Sequence, residues 1–296
     1  MALPPTATGP APLAAHAIGW MMLAVFLFAV MDAMIKWQGA VYPVLQIVFF
    51  RSAFGLLISI GPVLHDGRRL LATRHPWLHL ARALLGFIAL FCFFEAFVRM
   101  PFADVYAISF ASPLFITALS VPLLGEHVGW RRWCAVAVGL AGVLLMIRPG
   151  AGVFETAALL ALGGTLAYAL AMILVRRLAR TDSNIAIVFY FGIMATFLSG
   201  LTLPFVWITP SWIDFVWLAL IGVIGGAAQL ILTQAFRMAP VSLLTPFEYV
   251  AMLWAVLFGW LFWRELPDPY FYAGAPLVVA AGLYILHRET RRRTLG

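Results

Sequence analysis

Charge is what this sequence has least of. Only 10% of its 296 residues are Asp, Glu, Lys or Arg, against 64% hydrophobic residues and a mean hydropathy of +0.99. A soluble domain carries about 25% charged residues. No single core could bury this much apolar surface, so the solvent around the chain must be lipid. Cysteine is nearly absent too. Cys92 and Cys134 lie in separate apolar runs, which excludes a disulfide framework or a cysteine metal site; both read as buried small hydrophobes. No GxxxxGK[ST] loop is present, so the chain carries no ATPase of its own. The lack of HExxH, of GxSxG and of a Ser–His pair argues against an intramembrane enzyme acting on lipid or peptide. The near-absence of charged rings argues against a channel. Residues 1–16 hold no Lys or Arg, so they lack the positive region of a cleaved signal peptide and read as a disordered tail.

What is present is said twice. Residues 95–126 (EAFVRMPFADVYAISFASPLFITALSVPLLGE) align without a gap on residues 234–265 (QAFRMAPVSLLTPFEYVAMLWAVLFGWLFWRE). Ala96, Phe97, Pro101, Leu114 and Glu126 fall on Ala235, Phe236, Pro240, Leu253 and Glu265. Upstream, AVMDAMI (29–35) lies over AYALAMI (167–173), and after a one-residue shift Ala141-Gly142 lies over Ala281-Gly282. A duplicated apolar unit is the mark of a repeat-built membrane transporter.

A membrane helix needs roughly 20 apolar residues. That rule places spans near 17–38, 43–64, 77–99, 102–124 and 129–147, a linker at 148–154, and spans near 155–178, 184–208, 213–236, 241–263 and 269–287, with a basic tail at 288–296. The expectation is one all-α membrane domain of two five-helix repeats, 17–147 and 155–287, around a central cavity. Five spans per half is an odd number, so the second repeat enters the bilayer inverted, as alternating access requires. The net charge of +7 is spread over short loops and the tail, which fits orientation signals better than nucleic acid. With the N-terminus cytoplasmic, the inner segments hold thirteen cations: Arg68, Arg69, Arg74, Arg131, Arg132, Arg176, Arg177, Arg180, Arg237, Arg288, Arg291, Arg292 and Arg293. The outer segments hold four: Lys36, Arg99, Arg148 and Arg264. Both termini are therefore expected to be cytoplasmic.

With its two five-helix halves, the GE of LLGEHVGW ending span four, its counterpart RELPDPY ending span nine, and AG-containing spans five and ten, the chain resembles the EamA-type, ten-helix branch of the drug/metabolite transporter superfamily. Within it the likeness is greatest to YddG-type bacterial amino-acid exporters; riboflavin and S-adenosylmethionine carriers share these motifs. The resemblance implies a helical basket in the bacterial inner membrane, its cavity lined by spans one, three, four, six, eight and nine and braced by spans five and ten.

Charge within a span is expensive, so each instance asks for a reason. Asp32 and Arg51 lie at similar depth, either as a fixed helix–helix pair or as anchors for the two ends of a zwitterion, the planar guanidinium taking a carboxylate. Glu248, two residues after Pro246, suits a gate or a proton-sensitive site on a kinked helix, or snorkels to water. Glu95, Arg99 and Asp104 read as an outer charge cluster, and Glu126 and Glu265 as structural ends of matching helices. His79, at an inner span end, reads as a plain interface residue or a cavity group. Phe87, Phe91 and Phe94 share one helix face. Tyr106, Ser109, Ser112, Thr165, Tyr168, Gln229, Thr233 and Gln234 supply neutral polar groups that point into the bundle. Gly222 and Gly226, and Ala135 and Gly139, have the small-xxx-small spacing of close helix crossings.

The expected cavity residues are thus Asp32, Arg51, His79, Phe91, Tyr106, Ser109, Tyr168, Gln229, Phe247 and Glu248. Apolar walls with a few polar groups suit a neutral or aromatic amino acid, and the function expected is its export by secondary transport; the alternative is uptake or exchange of another metabolite, such as riboflavin, S-adenosylmethionine or a nucleoside-like compound. No metal or cofactor is implied. The partners are a small-molecule substrate and the bilayer, with no nucleic acid; the sequence leaves the oligomeric state open. Topology is testable with cysteines at Thr209 and Ser183 in a background lacking Cys92 and Cys134. An impermeant thiol reagent applied outside cells should label position 209 and spare 183; the reverse pattern contradicts the inverted arrangement with cytoplasmic termini.

Overall fold

The computed structural model describes residues 11–66, 71–124, 128–147, 153–239 and 241–295, and all regular structure among them is helical. The first half contains α1 (Ala11–Gln38), α2 (Val44–Asp66), α3 (Pro76–Arg99), α4 (Phe102–Ser109), α5 (Ser112–Leu124) and α6 (Trp130–Ile147). The second contains α7 (Val153–Leu178), α8 (Asn184–Val206), α9 (Trp212–Met238), α10 (Val241–Glu248), α11 (Val250–Trp263) and α12 (Phe271–Leu295). These twelve helices make the ten expected spans, because α4 with α5 and α10 with α11 are single spans interrupted once. Six helices are long and apolar enough to cross a membrane on their own measure, and Phe102–Leu123 is one of these stretches. In hydrocarbon every backbone polar group must find its partner within the protein, which is why the apolar runs fold as helices.

The two interruptions sit at corresponding places. The step from Ala96 to Ala235 also carries Phe110 to Tyr249. Phe110 has φ −68°, ψ −5°, and Tyr249 has φ −66°, ψ −14°. A ψ near zero tightens the turn and opens the helical ladder. In the first half Pro113 follows the break and lacks the N–H that would continue the ladder. In the second the break falls three residues beyond Pro246, at Tyr249, in the span that the proline led the sequence reading to expect kinked. The Phe110 and Tyr249 rings meet at 4.7 Å, so the interruptions face each other across the bundle axis.

Helix pairing is reciprocal between the halves. Span one packs on span eight (α1 on α9), and span six packs on span three (α7 on α3). Spans two and seven pair with each other (α2 on α8), as do five and ten (α6 on α12). A pseudo-two-fold axis relating two repeats requires this pattern.

Polar contacts mark two faces. On the first face, Lys36 donates to both Glu265 carboxylate oxygens at 2.8 and 2.7 Å and to the Met100 carbonyl at 2.8 Å. The Phe102 N–H reaches Glu265 at 3.4 Å, so this carboxylate binds the backbone of a short turn, the role expected from its place at a helix end. Its counterpart Glu126 lies outside the described residues. On the same face Tyr42 donates to Asp214 at 2.8 Å, and the fully buried Gln46 exchanges two bonds with the backbone of Ile208. On the second face His79 meets Asp182 at 2.7 Å, Tyr190 donates to the Leu71 carbonyl at 2.8 Å, and Arg177 donates to the Leu123 carbonyl. Hydrogen bonds tie the two halves together at both faces. At the first face α4 packs on α11, whereas toward the second face α5 turns to α6, α7 and α12 and α10 to α1, α9, α11 and α12. Spans four and nine therefore touch at the first face and diverge toward the second.

Close crossings rest on glycine. A Cβ on Gly222 would lie 2.4 Å from the Phe54 Cβ and 2.8 Å from the Phe50 carbonyl oxygen, so the GxxxG pair expected to allow close approach does so within the chain, against α2. Gly142 and Gly274 cross α6 and α12 in the same manner. Two sequence expectations need correction. Cys134 is exposed on α6 rather than buried, in a groove shared with Trp130, Val138 and Tyr284. Asp104 is buried near Lys36 and Glu265, apart from the exposed Arg99–Glu95 pair it was grouped with. Overpacking a tight crossing costs about 1–3 kcal/mol. Gly222→Val should therefore lower the melting temperature of the purified protein by several degrees, while Gly163→Ala, with nothing within 4 Å of the new methyl, should leave it nearly unchanged.

Candidate functional site

The bundle's interior charges gather between the interrupted spans. Asp32 lies six residues from the first-face end of α1 and Arg51 seven residues from the first-face end of α2, each about 10 Å deep at 1.5 Å per residue. Tyr106 donates to the Asp32 carboxylate at 2.6 Å, and the ring is walled by Phe97, Phe102 and Phe110 at 5.7, 5.5 and 6.3 Å. Asp32 and Arg51 are within electrostatic reach of each other, yet the buried Nε of Arg51 has no hydrogen-bond partner among the described residues. Gly225 opens the space beside it: a Cβ there would stand 2.6 Å from the Met31 sulfur and 3.7 Å from Arg51 Nε.

A second group lies nearer the other face. Arg82, six residues into α3 from that face, is about 9 Å deep. Its guanidinium carbon stands 4.0 Å from the centre of the Phe191 ring, and its buried Nε and Nη1 have no partner among the described residues. Arg82 is within electrostatic reach of Tyr168 and Arg51, and Tyr168 within reach of Glu248. Tyr168 keeps 41% of its surface accessible although it sits deep among the helices. It lies four residues from Gly164, which abuts Cys92 of α3, so it shares the face that packs inward. Its accessible surface therefore lies on the side of α7 that meets α3. Glu248, at the end of α10, is likewise deep yet partly accessible, and Tyr249 follows it at the break.

Of the expected residues, Asp32, Arg51 and Tyr106 form one group and Tyr168 and Glu248 another, the two linked by the electrostatic reach between Arg51 and Arg82. Ser109 bonds back to the Tyr106 carbonyl at 2.8 Å, within its own helix. Phe91 and Phe247 are half-buried and pack against the apolar core, and Gln229 is half-buried on α9. His79 lies elsewhere, at the second face. Its ring sits 4.7 Å from Tyr190, and its bond to Asp182 pins α3 to the turn after α7. Burial raises the Asp182 pKa, but hydrogen bonds from Thr73, His79 and Thr181 outweigh it and hold the carboxyl at about 2. Sequence reasoning passed over Arg82 altogether. The signal was there: one arginine inside the otherwise apolar LHLARALLGF of span three.

Two inverted repeats enclosing a polar cavity between broken helices define a multi-pass membrane transporter. The EamA-like transporter family matches residues 15–148 and 155–287, one match per repeat, and the chain belongs to that family. It is a transporter of small metabolites. Among curated relatives, a pseudopaline exporter, CntI, of Pseudomonas aeruginosa is 31% identical, covering 88% of this chain and 92% of its own. An S-adenosylmethionine uptake transporter of Rickettsia bellii is 26% identical, covering 93% and 94%. A riboflavin transporter of Rhizobium johnstonii is 28% identical, covering 92% and 91%. A solved structure shares the fold with a TM-score of 0.61 at 23% identity, over 94% of this chain and 98% of its own. The relatives do not carry the specific likeness to amino-acid exporters.

If Asp32 and Arg51 act together, Asp32→Asn and Arg51→Gln should each impair transport, and the double variant should lose less than the sum, with a coupling of about 0.5–3 kcal/mol. Additive losses in well-folded variants would separate the two residues.

Proposed function

We propose that this protein is a secondary carrier, not an enzyme, that moves a zwitterionic metabolite outward across the bacterial inner membrane by alternating access. The substrate is an amino acid, or a compound built on one, with an apolar or aromatic side chain. One observation carries the reading: buried guanidinium nitrogens of Arg51 and Arg82 that have no hydrogen-bond partner among the described residues lie near the carboxyls of Asp32 and Glu248 and a cluster of aromatic rings. A buried donor without a partner costs about 1–3 kcal/mol or more, so the cavity favours a ligand that brings acceptors and a compensating cation. S-adenosylmethionine, the substrate named for the Rickettsia relatives, carries such an amino-acid head. With the termini cytoplasmic, the second face is the inner one. The cavity then opens toward the cytoplasm and the Lys36–Glu265 lock closes the outer side, a state suited to loading for export.

Proteoliposomes loaded with unlabelled amino acids should accumulate labelled methionine, threonine or phenylalanine by exchange, and empty liposomes should not. Exchange of riboflavin but of none of the twenty amino acids would keep the carrier and overturn the substrate class.

A further inference from the structure

Counting charges layer by layer separates the two arginines. In the layer near the first face, Arg51 faces Asp32, whose carboxylate already takes the Tyr106 hydroxyl. That layer is balanced, one cation against one anion, and lies behind the closed end. In the layer reached from the second face, Arg82 has no carboxylate partner among the described residues, and its buried Nε and Nη1 make no hydrogen bond there. Its near neighbours are the Phe191 ring, the Tyr168 phenol and Arg51. Glu248 has no cation partner among the described residues, and its neighbours within electrostatic reach are the phenols of Tyr168 and Tyr249. A buried cation and a buried carboxylate thus stand near the same tyrosine without neutralising each other. An arrangement that costs desolvation on both sides and forms no pair is unfavourable unless a ligand completes it.

The mounting of Arg82 fits that task. A guanidinium stacked on an aromatic ring keeps its in-plane N–H groups free to fork onto a carboxylate. Gly86, one turn along α3, makes room for the ring: a Cβ there would stand 2.6 Å from Phe191 Cε2. Packing against Gly86 fixes the platform that aims the guanidinium.

Resting on the carrier reading above, we infer that Arg82 and Glu248, and not Asp32 and Arg51, are the poles that hold the transported zwitterion. Arg82 takes the carboxylate, Glu248 takes the ammonium, and Tyr168 lies between. Asp32 and Arg51 form the internally balanced floor beneath.

The test uses methionine exchange in proteoliposomes, with methioninamide (no carboxylate) and 4-(methylthio)butanoate (no ammonium) as competitors. In the unaltered protein each analogue should compete at least tenfold more weakly than methionine. Arg82→Gln should raise the KM for methionine about 10- to 100-fold and abolish the preference for methionine over methioninamide. Arg82→Lys should restore part of it. Glu248→Gln should instead abolish the preference over 4-(methylthio)butanoate. Because the analogue comparison is also made on the unaltered protein, a misfolded variant does not shield the idea: methioninamide competing as well as methionine overturns it. If methionine exchanges but Arg82→Gln leaves its KM within threefold while Arg51→Gln does not, the carrier reading stands and the assignment of poles falls. If riboflavin exchanges and methionine does not, the carrier stands, and the zwitterion substrate class and the assignment of poles fall together.

Discussion

Hydrocarbon offers no hydrogen bond, and that single constraint orders this molecule. Each backbone polar group must be satisfied within its own helix, and each charge must be paired or wet. The chain answers the first demand with near-continuous helices and departs from it at two matched places, Phe110 and Tyr249. The departures are tolerated because they meet on the axis, ring against ring, away from lipid. The second demand gathers the interior charges around one space. Lys36, the one intraspan lysine, is held at the first face by a carboxylate and a carbonyl.

The scaffold is duplicated but its chemistry is not. In the aligned repeats Asp32 falls on Leu170, Tyr168 on Val30 and Glu248 on Ser109. Glycine and alanine, which set helix distances, recur in both halves, as Ala141-Gly142 and Ala281-Gly282 show. Two-fold packing is common to both halves, while the interior polar residues are not. The spans that meet through glycine, α2 with α9 and α6 with α12, are the stiff contacts; the interrupted spans carry the polar end of the cavity.

Much of this was legible in the sequence because hydropathy and duplication are local signals. The ten spans and the likeness of the halves follow from runs of letters, and Gly222 with Gly226 announced a close crossing. What escaped depends on which helix faces which. Asp104 looked like a surface companion of Arg99, but the turn at Pro101 carries it inward toward Lys36. His79 looked like a cavity residue, but α8 and the turn before it enclose it at the face. Arg82 was overlooked because one arginine near a span end resembles an interfacial residue; only its ring platform on Phe191 and its partnerless nitrogens reveal an inward aim.

The central claim is that the space beside Tyr168 is an aqueous cavity open to the second face and not a gap filled by lipid. Thiols ionise and react with charged reagents only where water reaches them. A cysteine at position 168, in a background lacking Cys92 and Cys134, should therefore react with a charged, impermeant reagent presented from the side of Ser183, and an exchanged zwitterion should slow that reaction. A cysteine that reacts only with a membrane-soluble maleimide, or equally fast with and without substrate, would contradict the account.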